Sequence, residues 1–490
     1  MPYTRSITLF FALLILILTV LLPSAHPFYT VESMLLAVFF ALTVWMMSLA
    51  RSFIMDLLAL LFSAFFSQRI VTIYFFPASL DYQDYLSFSP ENFTLALAFL
   101  SMSAFAALSG YLCAQIFPFT SRNSGILKLH TIAPIKILGG KIPFDKLFPI
   151  YAYISISLVC FQIYLMMFWS VGVTGLPFDR KFAIFYRIAN FFNGLGFLPF
   201  FACLSAEKNS KIRKLAILVL SLIIVHAFLR ASKGTILILI LQYIICYYLV
   251  RGFIPKKYIQ YAFMGLIVTI ILSPLIMIIR AFFVQYALLR NTIDAWNNVS
   301  FSEVFIFSDA SFGFLQRLGG FDWLLGLMNV GRESFPWWAS LRGDLLVVVK
   351  TLWPGDALMF IRDYVPIEKI IPELLRGWNM EHHLGHGDIM GGLGMAYVYW
   401  GPVLGVMFFF IWLLIFTLFY RSNLHIIFKF LLLYLILINV FIGGGFISAL
   451  CRTYESVIAI VICSFIYWTI CSIKQIKASG VSATKRFSMS

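Results

Sequence analysis

Charge is what this sequence lacks. Only 12% of its 490 residues are Asp, Glu, Lys or Arg, about half the share of an ordinary soluble domain. So few charges cannot clothe a soluble surface of this size, which excludes cytosolic, fibrous and disordered classes. Cysteine is scarce and scattered: the seven, at 113, 160, 203, 246, 451, 463 and 471, lie singly in or beside apolar runs. None shows C-x-x-C spacing, so neither a disulfide framework nor a zinc site is indicated. There is no Walker motif, no G-x-G-x-x-G after a strand and no cytosolic nucleotide domain, which argues against ATP-driven transport and against chemistry on a nucleotide sugar. Internal repeats of 20–50 residues and low-complexity segments are also missing. What remains is apolar: 61% hydrophobic residues, 18% aromatic, and a mean hydropathy of +0.93. The runs are too long for the short alternating segments of a membrane barrel. The fold class is therefore an all-α polytopic membrane protein.

A helix needs about 20 apolar residues to cross the hydrocarbon. Windows of that length fall at 7–23, 31–50, 53–76, 93–117, 148–171, 183–205, 214–230, 235–251, 258–280, 391–420, 430–450 and 456–473, giving about twelve transmembrane helices. Ser24-Ala25-His26 follows the first without an A-x-A-like cleavage site, so 7–23 reads as a retained span. Lys and Arg set the sides. Segment 118–147 carries Arg122, Lys128, Lys136, Lys141 and Lys146 against one acid, Asp145; segments 207–214, 251–257 and the tail 474–490 are basic as well. All four fall on one face with the N-terminus, which places both termini in the cytoplasm. The loops 24–30 and 77–92 hold no Lys or Arg and fall on the other face.

The chain then divides into four parts: spans one to nine over 1–280, one long loop over 281–390, spans ten to twelve over 391–473, and a cytoplasmic tail. The loop holds 12 of the 21 acids and three of the seven His. A loop of this length in a compact protein usually carries function. Apolar pieces within it, such as 321–325 and 345–349, suggest short helices lying on the membrane.

Three signals carry chemistry. The first is six cations expected toward the external leaflet: Arg69 in span three, Arg187 one turn inside span six, Arg230 and Lys233 around a tight hairpin between spans seven and eight, Arg280 at the end of span nine, and Arg452 after Gly443-Gly444-Gly445. An intramembrane cation costs at least about 2.5–3.5 kcal/mol and is normally kept for a partner. Snorkelling to the headgroups accounts for any one of them. Six together, with Asp56 the only acid in those spans and at the far end of span three, suit an anion, and guanidinium suits phosphate. The second is Glu381-His382-His383-Leu384-Gly385-His386-Gly387-Asp388. His382 and His386 would share a helical face and could hold a metal with Asp388 or Glu381, but Gly385 and Gly387 oppose a regular helix. A plain surface loop, or a general base or substrate-orienting His, fits better. The third is the run Gly391-Gly392-Leu393-Gly394 through Tyr397, Tyr399, Gly401 and Gly405, whose small residues read as close helix packing.

The layout resembles bacterial Wzy-type polymerases of O-antigen and related repeat units. The likeness lies in the basic hairpin turn (Arg230, Lys233), the long loop before the last three spans, Leu352-Trp353-Pro354-Gly355 within it, and Tyr397-Val398-Tyr399-Trp400-Gly401-Pro402-Val403-Leu404-Gly405 at the head of span ten. O-antigen ligases share the same GT-C-type fold and would also suit the His cluster. The resemblance implies a donor and an acceptor glycan on undecaprenyl pyrophosphate, joined at the periplasmic face of the inner membrane without cofactor or metal. It implies pyrophosphate binding by Arg69, Arg187, Arg230, Lys233, Arg280 and Arg452. The base is left open among Glu381, His382, His383, His386, Asp388 and Glu333. Partners would be the bilayer, a chain-length regulator and a flippase, with no nucleic acid. A transporter is the reading from another class, but the long loop has no counterpart in the first half, unlike the matched halves of transporters.

Overall fold

The computed structural model describes residues 30–75 (without 51), 89–117, 135–169 (without 138–139), 183–230 (without 208–209), 233–299 with gaps between 255 and 272, residues 324, 325, 327 and 328, 391–434 (without 423), 445–487 and four isolated positions before 30. The chain is an all-α membrane protein. Among the described residues six helices are long and apolar enough to cross a bilayer: Val31–Leu49, Glu91–Ile116, Phe144–Phe168, Lys211–Leu229, Gly392–Arg421 and Thr453–Gln475. Each coincides with an expected span. The one strand pairing among the described residues is an antiparallel hairpin, β1 (Ile135–Ile137) and β2 (Gly140–Ile142), within the basic segment 118–147.

Three helices running in one direction make the tightest part of the bundle. Helix α1 (Val31–Leu49) starts at Thr30, whose hydroxyl accepts from the Ser33 N–H at 3.2 Å. After α2 (Phe53–Phe75), helix α3 (Pro90–Ile116) starts at Ser89, with Pro90 and Glu91 in its first turn. The hydroxyl cap, the proline at the first position and the acid at the positive end of the dipole each favour a start there. Ser33 bonds Thr94 at 2.8 Å, Ser101 donates to the Leu36 carbonyl at 3.2 Å, and Phe39 meets Phe105, so α1 and α3 are parallel. Helix α11 (Gly391–Arg421; the intervening helices follow below) lies along the other side of α3 in the same sense. Gly405 sits by Phe99, Gly110 by Phe410 and Leu414, and the Arg421 guanidinium donates to the Ala114 carbonyl. Ala37 and Ala41 of α1 and Ala96, Ala104 and Ala107 of α3 are buried; without a hydrophobic drive between helices in lipid, small residues that let backbones approach favour close packing. Met407, Ile411, Ile415 and Phe419 form an exposed stripe at four-residue spacing on α11, the face suited to lipid tails.

Helix α11 is not one rod. Gly401 has φ +76° and ψ −177°, followed by Pro402, and breaks it. A Cβ placed on Gly405 would lie 3.0 Å from the Ala396 carbonyl oxygen. Nine residues of straight helix would separate these positions by about 13.5 Å, so the bend is sharp. Residues 402–421 are long enough to cross by themselves, and the piece 392–399 before the bend is buried throughout. Gly405 plays the expected packing part; Gly401 instead supplies a left-handed backbone that only glycine adopts without strain.

The second half of the bundle surrounds α4 (Phe144–Trp169). The expected sixth span divides into α5 (Ala183–Asn193) and α6 (Leu198–Ser205), because Gly194 and Gly196 sit in the turn between them and Pro199 restarts the helix. Helix α5 runs antiparallel to α4, with Phe185 edge-on to Phe161 and Phe192 beside Tyr151. Helices α7 (Lys211–Leu229) and α8 (Lys233–Arg251) form the expected hairpin. In the expected ninth span the described positions 260, 261, 264, 265 and 268 are helical, and α9 (Ser273–Leu289), with Pro274 in its first turn, runs nine residues past 280; after Arg290 the short α10 (Thr292–Asn297) follows. The chain ends in α12 (Ile426–Leu431) and the long α13 (Gly445–Phe487), which packs on α4 and α5. Leu324, Leu325, Leu327 and Met328 are buried in the main core, so this part of the 281–390 segment is covered by protein rather than lying on the membrane. The second piece, 345–349, lies outside the described residues.

Candidate functional site at the arginine-bearing end

Helix α7 ends at Leu229 because its last apolar turn meets Arg230, an exposed cap whose N–H donates to the His226 carbonyl at 2.9 Å. Two residues later Lys233 opens α8. The turn therefore puts two cationic residues at the same helix ends, as the hairpin reading expects. Leu229 does not stand alone. It packs on the Met166–Phe283 pair together with Ile163 of α4 and Ile279 and Phe282 of α9. The residue before Arg230 and the residue before Arg280 thus share one apolar cluster, and α4, α7 and α9 converge on it.

Arg280 lies within α9, which continues as helix to Leu289, so the charge closes the apolar window 258–280 but not the helix. Arg187 is on α5 two residues after Phe185, whose ring centroid is 4.5 Å from that of Phe161. Arg452 is on α13 one turn before Ser456, whose Oγ would be 2.6 Å from a Cβ on Gly194, the residue after α5. Both therefore stand on elements packed around α4. Arg69 is on α2, three residues after Phe66, whose ring meets Phe40 of α1 at 5.5 Å; no described contact joins it to the other cations. The side chains of Arg69, Arg187, Lys233, Arg280 and Arg452 lie outside what the structure describes, as do Glu333, Glu381, His382, His383, His386 and Asp388 entirely.

The acid sits where the sequence expects it. Asp56, 3% exposed, is the one buried carboxylate among the described residues and lies in the first turn of α2. Phe53 beside it stacks on Tyr248 at 4.0 Å, fifteen residues along α8 from Lys233, or about 22 Å of helix. A bilayer's worth of apolar structure separates that carboxylate from the hairpin turn. The positions of Arg230, Lys233 and Arg280 therefore lie at the end of the bundle away from Asp56.

Two features were missed from sequence. The first is the Met166–Phe283 clamp that aligns α7 with α9; the apolar run 281–289 is the signal that could have found it. The second is the bend at Gly401, for which the Gly-Pro pair is the signal. Just before that bend the Tyr399 hydroxyl is buried and makes no hydrogen bond among the described residues. Comparison with protein-family models, curated proteins and solved structures finds no match to this chain.

Proposed function

We propose that this chain is a membrane glycosyltransferase that joins oligosaccharide repeat units carried on undecaprenyl pyrophosphate, a Wzy-type polymerase of the GT-C class with twelve spans and cytoplasmic termini, working at the periplasmic face of a bacterial inner membrane. The observation that supports it is the common seating of Leu229 and Ile279, which brings the positions of Arg230 and Arg280 together at the end of the bundle opposite Asp56. A hydroxyl of the acceptor unit attacks the anomeric carbon of the donor, and the bond from that carbon to the lipid pyrophosphate breaks. Charge grows on the leaving pyrophosphate, where fixed cationic donors act most strongly. In this reading Arg187, Arg230 and Arg280, with Lys233 in support, hold the pyrophosphate, and Arg69 and Arg452 add to the field. The hydroxyl proton passes to a base from the loop, one of Glu333, Glu381, His382, His383, His386 or Asp388. The donor is already activated, so the reaction asks for no nucleotide or redox cofactor. A flippase supplies the donor and a chain-length regulator acts on the product.

The test is the surface-glycan ladder of a deletion strain. The proposal expects single repeat units still attached to the cell surface and no longer chains. No attached units at all would mean the ligase of the same fold, and units accumulating inside would mean a flippase.

A further inference from the structure

The chain reverses direction at Arg290. Helix α9 closes there with φ +53°, and the Arg290 N–H donates to the Tyr286 carbonyl at 2.9 Å. Among the described residues it is the one non-glycine residue with positive φ, a conformation that its Cβ disfavours. Asn291 then caps α10, its Oδ1 accepting from the Ile293 N–H at 3.0 Å. The reversal seats Trp296 edge-on against Phe282, with ring centroids 5.8 Å apart. Phe282 packs on the cluster near which α4 and α7 end, and α9 runs on to Leu289, about 10 Å beyond that level. Helix α10 therefore returns toward the level that α9 left. The side on which it lies follows from α9 itself. Leu275, Phe282 and Leu289 recur at seven residues, close to two turns, and share one side of the helix. Leu275 and Leu289 are exposed, so this side is turned away from the bundle, and Trp296 lies on it.

Within α10 Ala295 is fully buried, and at 3.6 residues per turn Ile293 and Trp296 stand between it and the polar Asp294 and Asn297. Ile293 is 70% and Trp296 50% exposed, and Leu288 at the end of α9 is 72% exposed. We propose that α10 is an interfacial anchor, with Leu288, Leu289, Ile293 and Trp296 seated at the boundary of headgroups and acyl chains in the leaflet at the arginine-bearing end. Lipid is the occupant because the patch continues the outward side of α9, a helix of a membrane-spanning bundle. The height agrees as well: a headgroup layer is about 5–8 Å deep on each side of the hydrocarbon, close to the rise of α9 beyond Phe282. A tryptophan flanked by an apolar side and a polar edge is the composition that this layer favours. The anchor starts the 281–390 segment at the membrane surface beside the end of α7, since Phe282 and Leu229 pack on one cluster. The proposal is independent of the catalytic reading.

The test uses the full-length chain in phosphatidylcholine nanodiscs. Wild type is compared with Trp296→Phe, which keeps a ring against Phe282, so the difference in emission isolates Trp296. When the lipid carries bromine on the acyl carbons nearest the headgroups, that difference should lose most of its intensity. An unquenched difference would overturn the anchor. Photocrosslinking then identifies the neighbour. Irradiation of Ile293→p-benzoylphenylalanine should add the mass of one phospholipid to the chain. The same replacement at Asn297, on the polar edge, should give far less adduct; equal yields would overturn the assignment of the two sides. A crosslink from position 293 to the long loop or to a second copy, or no phospholipid adduct at all, would mean that protein or water covers the patch and would overturn the lipid assignment.

Discussion

Arg230 is the residue at which cost and function can be separated. It is the exposed cap of α7, next to Leu229, which packs on the same cluster as Ile279. A lost charge-assisted contact to developing pyrophosphate charge costs ~3 kcal/mol, about a hundredfold in rate. Arg230→Ala should therefore abolish nearly all long glycan chains at unchanged membrane abundance. Arg230→Lys should keep part of the activity, because ammonium restores the charge but not the paired donors. Lys350→Ala, in the water-exposed long loop of the sequence reading, should be mild. Full-length ladders from Arg187→Ala, Arg230→Ala and Arg280→Ala alike would sink the anion-binding idea and leave snorkelling as the account. At this scale the sequence is informative about which residues are expensive, since charge in an apolar run is visible in one dimension. It is silent on which of them meet: Leu229 and Ile279 are fifty residues apart, and only the Met166–Phe283 clamp joins them.

Helices explain which glycines matter, and two of them separate space from conformation. Gly110 is ordinary helix, but a Cβ there would come within 2.3 Å of the Phe410 carbonyl oxygen, and backbone cannot swing aside. Gly252, after α8, has φ +74° and nothing within 4 Å. Gly110→Ala must push α3 and α11 apart, at about 1–3 kcal/mol or more. Gly252→Ala pays only the left-handed conformation, about 1–2 kcal/mol. A thermal-unfolding series in detergent should rank Gly110→Ala well below Gly252→Ala; equal midpoints would mean that the α3–α11 seam yields more easily than its geometry suggests. Elements were legible where about twenty apolar residues stand together, as in α1, α3, α4 and α7, because composition alone marks a span. Their interruptions were not. Gly401-Pro402 reads equally as a packing motif and as a bend, and only the approach of Ala396 to Gly405 decides. Leu324 and Leu325 are as apolar as a surface helix requires; burial depends on what covers them, which a local pattern does not contain.

The direction of the helices constrains the whole molecule more tightly than their number. Helices α1, α3 and α11 are parallel, and Phe53 on Tyr248 brings the end of α8 to the end shared by α3 and α11. For α11 to run toward that same end, the chain between 252 and 390 must pass through the bundle an odd number of times. Phe283 packs against Met166 and Leu229 at the opposite end, so the passage is complete by about residue 283. A single crossing there coincides with the expected ninth span, 258–280. The remaining stretch up to 390 then begins and ends at the arginine-bearing face, where the long loop must lie if it is to act on a bound pyrophosphate. The starts of α4 and α7, each next to a basic segment of the sequence, lie at the other face, the cytoplasmic one in the proposed topology. A reporter active only outside the cytoplasm should therefore be on when fused after Pro354 and off when fused after Lys136. The reverse pattern would turn the protein over and put the arginines on the cytoplasmic side. The same state at both sites would mean that the stretch between 283 and 390 crosses and returns, and would overturn the single crossing.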